Sequence, residues 1–454
     1  MRVIVACLLM LTTVAFTSAQ NVDSTLTFRR AVEIALMNNV TLNQQKNNLS
    51  QSQVNRTFRA GQLGPQASIN GNVGRSSGNN WIQQEGTVVN AVVYGASASL
   101  NISMPIFNGL SGVNSLRQAN SQLDAQLAFV KRTSQDVINI VATQYLAVLL
   151  DQELLKIAQE NGTLQKTIYS QVKTQVELGS RSPVDEYNQQ AQVSNAELRI
   201  VQAEYALIND KSLLFQSLLI DPTLPIRIQE PSWDINGIAL DTIDLQTLIE
   251  VAMTNRGDLQ QARYTEKASR FGMASSKGNY LPSITANYSN GSAWNQLKGA
   301  APGDSTYRGF NDQFFTDNRR NYIGVGINIP LFSGFQNRVQ YVQSKVQYQN
   351  NKLFTRSRET IVKGDVVRAY ENFESVKKAY SAGVTGLEAS TMAYNLEQER
   401  FNLGITSFVD FANANRTFIQ AQTDMAQAKY RFLFQKIMMD YAVGTLKAED
   451  IPIE

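Results

Sequence analysis

The sequence contains no histidine and only one cysteine, Cys7, in 454 residues. Without histidine it lacks the side chain that most often titrates near neutrality or ligates a metal. A lone cysteine excludes a disulfide framework and a thiolate metal site. There is no Gly-rich phosphate loop and no carboxylate cluster away from the helical faces, so no catalytic residue, no metal site and no cofactor is expected. Charge is also scarce: 17% of residues are charged, the formal net charge is +3, and no basic block is present. That balance argues against a nucleic-acid partner. After residue 19 no apolar run reaches the length of a transmembrane helix.

The start of the chain has a different composition. Arg2 precedes an apolar run from Val3 to Phe16, then Thr17-Ser18-Ala19. A charged n-region, a short h-region and a small-residue cleavage site predict a signal peptide over 1–19 and an exported chain beginning near Gln20. Cys7 would leave with the signal, and no cysteine would remain at the new start to carry a lipid.

The rest of the chain is a duplication. Thr25–Gly74 aligns without a gap to Thr242–Gly291 at an offset of 217, pairing Glu33 with Glu250, Asn38 with Asn255, Gly61 with Gly278 and Pro65 with Pro282. The offset then becomes 225 and holds for Pro105/Pro330, Phe107/Phe332, Gly109/Gly334, Gly179/Gly404, Asp185/Asp410 and Tyr205/Tyr430. Repeat 1 occupies 20–220, repeat 2 occupies 242–445, and 446–454 is a short tail. Residues 221–241, with Pro222, Pro225 and Pro231, read as an extended linker. A duplication this regular predicts one structure with an internal two-fold repeat.

Each repeat opens with helical apolar spacing, over 28–60 and 245–277. The period then drops to two. Ala67, Ile69, Gly71 and Val73 alternate with Ser68, Asn70 and Asn72, and Ile284, Ala286 and Tyr288 alternate with Thr285, Asn287 and Ser289. Polar loops over 76–91 and 290–320 follow, the second holding Trp294, Tyr307, Phe310, Phe314 and Phe315. Alternation resumes over 96–104 and 323–331. Strands of this length cross a membrane when tilted, and their small uncharged polar faces suit a water-filled lumen. The same alternation also fits four strands of a soluble antiparallel sheet.

After Gly109 and Gly334 the helical pattern runs far. Neither Gly nor Pro interrupts Ser115–Gln159. A helix over 110–178 would be ~100 Å long at 1.5 Å per residue. Leu116, Leu123, Val130 and Val137 step by seven, and Val141, Val148 and Leu155 repeat the step displaced by four. Such a stutter locally unwinds a supercoil and suits staves of a wide cylinder, although a long coiled coil with imperfect heptads accounts for the helices alone. Both long segments end in a related motif: Leu178-Gly179-Ser180-Arg181-Ser182-Pro183-Val184-Asp185 and Leu403-Gly404-Ile405-Thr406-Ser407-Phe408-Val409-Asp410. Gly suits a helix end and Ser a new helix start, so both read as tight hairpin tips. Four strands cannot close a membrane barrel, so in the membrane reading several chains must share one; three give twelve strands.

These motifs carry a resemblance to the TolC family of outer-membrane efflux proteins over nearly the whole chain after residue 19. They are Ala31, Ala35, Asn38-Asn39 and Leu42; Gly64-Pro65 and Leu281-Pro282; Pro105-Ile106-Phe107-Asn108-Gly109 and Pro330-Leu331-Phe332-Ser333-Gly334; and the two tips. The resemblance implies an α+β membrane protein: a homotrimer with a 12-stranded β-barrel in outer-membrane lipid, four strands per chain, continued by a long periplasmic α-helical barrel. It implies a passive exit duct working with a periplasmic adaptor protein and an inner-membrane transporter. Pro105, Gly109, Pro330 and Gly334 would mark the strand–helix transitions. Leu178, Gly179, Ser180, Leu403, Gly404, Ile405 and Thr406 would meet the adaptor. Asp185 and Asp410 would line the entrance, unless each only caps its helix. Asn188 and Asn413 stand where well-studied drug-efflux members place a second carboxylate, and Arg181 is expected to pair with Asp410 across neighbouring hairpins. The remaining alternative is a structural periplasmic coiled-coil protein with a small β domain.

Overall fold

The computed structural model describes residues 25–82, 86–233, 244–304 and 307–451, so the expected signal peptide lies outside the described residues. Each half begins with a helix that breaks after eleven residues. α1 (Phe28–Asn38) and α2 (Val40–Gly61) are mirrored by α5 (Leu245–Asn255) and α6 (Gly257–Gly278), where the sequence suggested single helices. Asn39 leaves the helical region at ψ 121°, and its side chain accepts the Leu42 N–H at 2.9 Å to start α2. Arg256 breaks the second copy at ψ 116° with no side-chain cap.

The described residues include six strands: β1 (Thr25–Leu26), β2 (Gln66–Ile82), β3 (Thr87–Asn108), β4 (Arg227–Ile228), β5 (Ser283–Leu297) and β6 (Arg320–Asn328). The four long ones form an antiparallel sheet in the order β2-β3-β5-β6. The expected loop at 76–91 is a correction: the ladder continues through it, from Ser76↔Val93 to Ile82↔Thr87. Ser, Asn and Gly on β2 hide this extension, because polar and apolar residues (Trp81, Val88, Val89) mix on both faces and leave no alternation although the backbone still pairs. β5 likewise extends to Leu297, which places Trp294 in a strand. β6 stops at Asn328, short of the expected 331, two residues before Pro330, which has no N–H to give a ladder.

Beyond the sheet, α3 (Ser111–Glu177) and α8 (Gln336–Asn402) are both 67 residues long, ~100 Å each. α4 (Pro183–Leu218) and α9 (Phe408–Leu433) return along them. Of the seven-step series, Val137, Val141 and Val148 are buried; Leu116 and Leu123 are half-buried, and the small Ala119, Ala125 and Ala128 are enclosed instead. Small residues there let α3 and α6 approach closely.

The main apolar core sits midway along these helices, where both halves meet. Phe28 of α1 meets Tyr145, Trp233 and Phe434 edge-on at 5.3–5.5 Å. The Tyr145 hydroxyl lies 2.8 Å from Leu26 O and 2.6 Å from Gln229 O. The described part of the linker is therefore docked, with β4 pairing β1 in parallel. α10 (Gln435–Val443) closes the core from below, and beyond it Leu446 and Ile451 of the tail are buried.

The end of α10 is closed partly by its own turn, with Gly444 N donating to Asp440 O, and partly by outside donors. Arg256 Nη1 donates to Ala442 O at 3.0 Å, Arg132 Nη1 to Tyr441 O at 3.2 Å, and Gln135 Nε2 to Gly444 O at 2.9 Å. Arg256 is 3% exposed and pairs with Asp258 at 2.8 Å and Asp365 at 2.9 Å. Burial disfavours the Asp258 anion, but the hydrogen bond and charge of Arg256 outweigh it and hold that carboxyl below the usual range. Gly444, at φ +84°, lies against this break: a Cβ there would fall 2.9 Å from Arg256 Cα.

Removing Arg256 would leave Asp258 with only the more distant Arg358 at 3.8 Å and Asp365 with Arg368, and would strip the donor from Ala442 O. Arg256→Ala is expected to cost about 3–5 kcal/mol, read as a loss of thermal stability with early cleavage after α9 in limited proteolysis. A second carboxylate acts in the opposite sense. Burial, then the charge of Asp210, push Asp151 on α3 up to about 6, and its Oδ2 has no hydrogen-bond partner. A raised acid favours the protonated fold, so its contribution is present below the unfolded value of 3.8 and is lost as pH rises through about 6. Asp151→Asn should therefore raise the melting temperature at pH 7.5, by on the order of 1 kcal/mol after discounting for solvent screening, and leave it unchanged near pH 4.

Candidate functional site

Two regions carry the functional candidates: the hairpin tips and the sheet. At tip 1, Gly179 takes φ +73°, its N–H donates to Val176 O at 2.9 Å, and Ser180 N donates to Gln175 O at 2.9 Å. Tip 2 repeats this Schellman geometry, with Gly404 at φ +73°, Gly404 N to Phe401 O at 3.1 Å and Ile405 N to Arg400 O at 2.8 Å. Ser182 caps α4, with Pro183 following, and Ser407 caps α9. Leu178, Leu403 and Ile405 are 77%, 74% and 64% exposed, so both tips present apolar side chains to solvent.

The acidic residues behave differently. Asp410 N donates to Ser407 Oγ at 3.2 Å and its carboxylate accepts from the same hydroxyl at 2.7 Å, so Asp410 closes its own helix start. Asp185 is half-buried in the first turn of α4. Asn188 and Asn413 are exposed, and Thr406 is half-buried.

Arg181 is not paired with Asp410 within the chain. Its guanidinium lies 3.8 Å from the Phe401 ring centroid, and Nη2 donates to Phe401 O at 2.8 Å. Burial lowers its pKa, against the charge of Asp185. A cation over an aromatic face at a helix C-terminus is favoured twice. Beneath it lie stacked rings, Phe401 on Phe411 at 4.6 Å and Tyr394 on Phe418 at 4.9 Å. These aromatics were not singled out from the sequence, although Tyr394, Phe401 and Phe408 step by seven, as do Phe411 and Phe418.

At the sheet, register sorts side chains into two faces. One carries Ile69 and Val73 beside Leu100 and Ala96, then Tyr288 and Trp294, then Ile323, Val325 and Ile327. Ile69, Val73 and Ile323 are 81–84% exposed in the single chain. The other face carries Ser68, Asn70 and Asn72, then Ser97, Ser99 and Asn101, then Asn287 and Ser289, then Gly324 and Tyr322. Beyond the end of β6, the segment before it folds against β5. α7 (Phe310–Asp312) and a π-helical turn, Gln313–Asp317, bring the Gln313 amide onto Asn295 N and O at 3.1 and 3.0 Å. Phe310 stacks on Phe314 at 5.0 Å and meets Trp294 at 5.8 Å. The loop aromatics thus pack on one another and on β5.

Strand gives way to helix through two consecutive left-handed residues, Gly109-Leu110 at φ +62° each and Gly334-Phe335 at φ +59° and +65°. The glycines were legible; the strained non-glycine partners were not. A bulge between Pro105 and Phe107 precedes the first. A Cβ on Gly109 would collide with the Gly278 carbonyl oxygen, and a Cβ on Gly278 would lie 2.5 Å from Gly109 O. The equivalent glycines, Gly334 and Gly61, have nothing within 4 Å. The helices show the same contrast. Ser121 and Ala128 of α3 are 2% and 6% exposed, whereas their counterparts Val346 and Leu353 of α8 are 47% and 66% exposed.

A two-faced sheet, continued by paired ~100 Å helices, defines a channel-forming membrane protein of mixed α and β structure. The family model of the outer membrane efflux protein matches residues 31–218 and 248–445, and the chain belongs to that family. It is 26% identical over 379 residues to outer membrane protein TolC of Vibrio cholerae, covering 78% of each chain. It is 22% identical over 421 residues to the probable efflux pump outer membrane protein TtgC of Pseudomonas putida, covering 92% of this chain and 82% of that one. The solved structure of outer membrane protein VceC from Vibrio cholerae superposes with a TM-score of 0.80 at 14% identity, covering 92% of this chain and 96% of the other. The protein is an outer-membrane protein of efflux. Among the described residues no helix is long and apolar enough to cross a membrane, and no cluster could hold a metal ion.

Arg181 is expected to set the spacing of the tips. Spin labels on Ser180→Cys and Ile405→Cys, in a chain whose one native cysteine is Cys7, should give a narrow distance distribution. Arg181→Ala should broaden it, and Arg181→Lys should restore it only in part, because lysine lacks the planar fork. Thermal stability should fall by no more than ~1–2 kcal/mol.

Proposed function

We propose that three copies of the chain close one twelve-stranded barrel in the outer membrane, and that the helices continue it into the periplasm as a passive exit duct. Residues 1–19 are the signal peptide, 20–220 and 242–445 are the two halves of one stave set, and 221–241 joins them.

The observation that carries this reading is the contact made once and left open once. Between the halves of one chain, the Gly109 turn sits against Gly278, and Ser121 and Ala128 are covered. The equivalent surfaces, Gly334 with Val346 and Leu353 on one side and Gly61 with Val54 and Phe58 on the other, are bare. A second copy placed by the same rotation covers them and pairs the free edge of β6 with that of β2. Such head-to-tail contacts close into a ring. Closure is required because an unpaired strand edge is not tolerated in lipid. The apolar face then meets lipid and the Ser/Asn face lines the lumen.

At the far end, the exposed Leu178, Leu403 and Ile405 are the adaptor contact, with Gly179, Ser180, Gly404 and Thr406 shaping each turn. An inner-membrane transporter supplies the energy. Asp185 and Asp410 set a negative entrance, to which Asn188 and Asn413 add no charge. Arg181 on Phe401 ties tip 1 to the second hairpin and so restrains opening.

The test is the mass of the detergent-solubilised chain by light scattering with detergent subtracted. Three chains per particle is the expected result; a monomer, or a chain soluble without detergent, refutes the duct. Gly61→Val and Leu353→Arg should abolish the trimer while leaving the helical circular dichroism of the chain intact, since neither side chain would meet anything inside it.

A further inference from the structure

The four strands of the sheet contain only two charged residues, both arginine: Arg75 on β2 and Arg320 on β6. Register places them on opposite faces. Arg75 pairs with Tyr94 on the face of Ile69 and Val73, just past the apolar band. Arg320 pairs with Gly291, which pairs with Ser99, which pairs with Asn70, all on the polar face. Arg320 also lines a concavity of about 720 Å³ on that face, with Ser97, Ser99, Ser289 and Tyr322. No ion pair among the described residues involves Arg320, which is exposed. The charged residues of the segment folded over β5, namely Arg308, Asp312, Asp317 and Arg319, balance one another.

We propose that Arg320 is the specificity-determining residue of the barrel lumen, a ring of guanidinium groups that favours anions at the outer end of the duct. This rests on the trimeric reading above. Twelve strands spaced ~4.8 Å and tilted ~40° make a backbone circle ~24 Å across. An arginine reaches ~6 Å inward, so three of them lie within a Debye length, ~10 Å at 0.1 M salt, of the axis. Every other lumen-facing strand residue is uncharged, and the ring of Tyr322 lies over Gly324, flat against the wall. The wall therefore carries one sign of charge from one position. It stands in series with the acidic entrance of Asp185 and Asp410, so the duct has two filters of opposite sign, and large anions meet their favourable one last.

The experiment is the reversal potential of single channels in planar bilayers under a KCl gradient. Arg320→Gln should raise the K⁺/Cl⁻ permeability ratio about twofold at 0.1 M salt, Arg320→Glu should raise it further, and Arg320→Lys should leave it near the starting value. The shifts should persist with Asp185→Asn and Asp410→Asn at the entrance, and fade at ~1 M salt, where the Debye length is ~3 Å. Unaltered ratios in both the Gln and Glu variants, with normal unitary conductance, would overturn the assignment, as would a shift that salt does not screen. Absence of any pore from the unmodified chain would instead refute the duct.

Discussion

A backbone amide in hydrocarbon must find a partner within protein, and this chain has two strand edges that do not. β2 and β6 flank a four-stranded sheet with one lipid-compatible face, and among the described residues no strand pairs with their outer edges. The remaining features answer to that constraint. In the proposed trimer the duplication supplies edges that fit one another. The Gly–Leu and Gly–Phe left-handed pairs turn strand into helix at the end of the sheet in each half. The Gln313 amide continues the pairing of β5 at Asn295, beyond Gly291 and before β6 begins, so that end of the sheet has its own local solution.

The two halves are alike in path and unlike in chemistry. Asn39 and Arg256 occupy the same break, yet the first is satisfied by its own helix and the second reaches Asp258, Asp365 and the end of α10. The second half thereby anchors the end of the described chain to the middle of the long helices. The tips differ in the same way: Asp410 is occupied by Ser407, whereas Arg181 of the other tip leans across to Phe401. An internal repeat thus fixes geometry, and departures from it mark where the halves are joined.

Long-range periodicity and punctuation made the architecture readable. The seven-residue steps, the alternating strands and the paired Gly motifs each announce an element in a short window. What escaped was of two kinds. The outward extension over residues 76–82 and 87–91 mixes Ser, Asn and Gly with Trp81, Val88 and Val89 on both faces, so backbone pairing defines it and no alternation in side-chain type marks it. The Arg181–Phe401 contact joins residues 220 positions apart. Charge suggested a carboxylate partner, and the ring over which the guanidinium sits is silent in a search for opposite charges. The seven-step aromatics under it were visible as a stripe, but a stripe does not say what rests on top.

Equal length in α3 and α8 has its own consequence. Both start at a left-handed pair at the sheet and both end in a Schellman turn, 67 residues later. Deleting one residue from either would lift its tip by ~1.5 Å and rotate everything below by ~100°, taking the buried stripe out of its seam. Change is therefore confined to steps that conserve phase, such as ~7 or ~11 residues, and must occur in both helices at once. The duplication acts as a matched pair of rulers, and the distance from sheet to tips can evolve only in quanta.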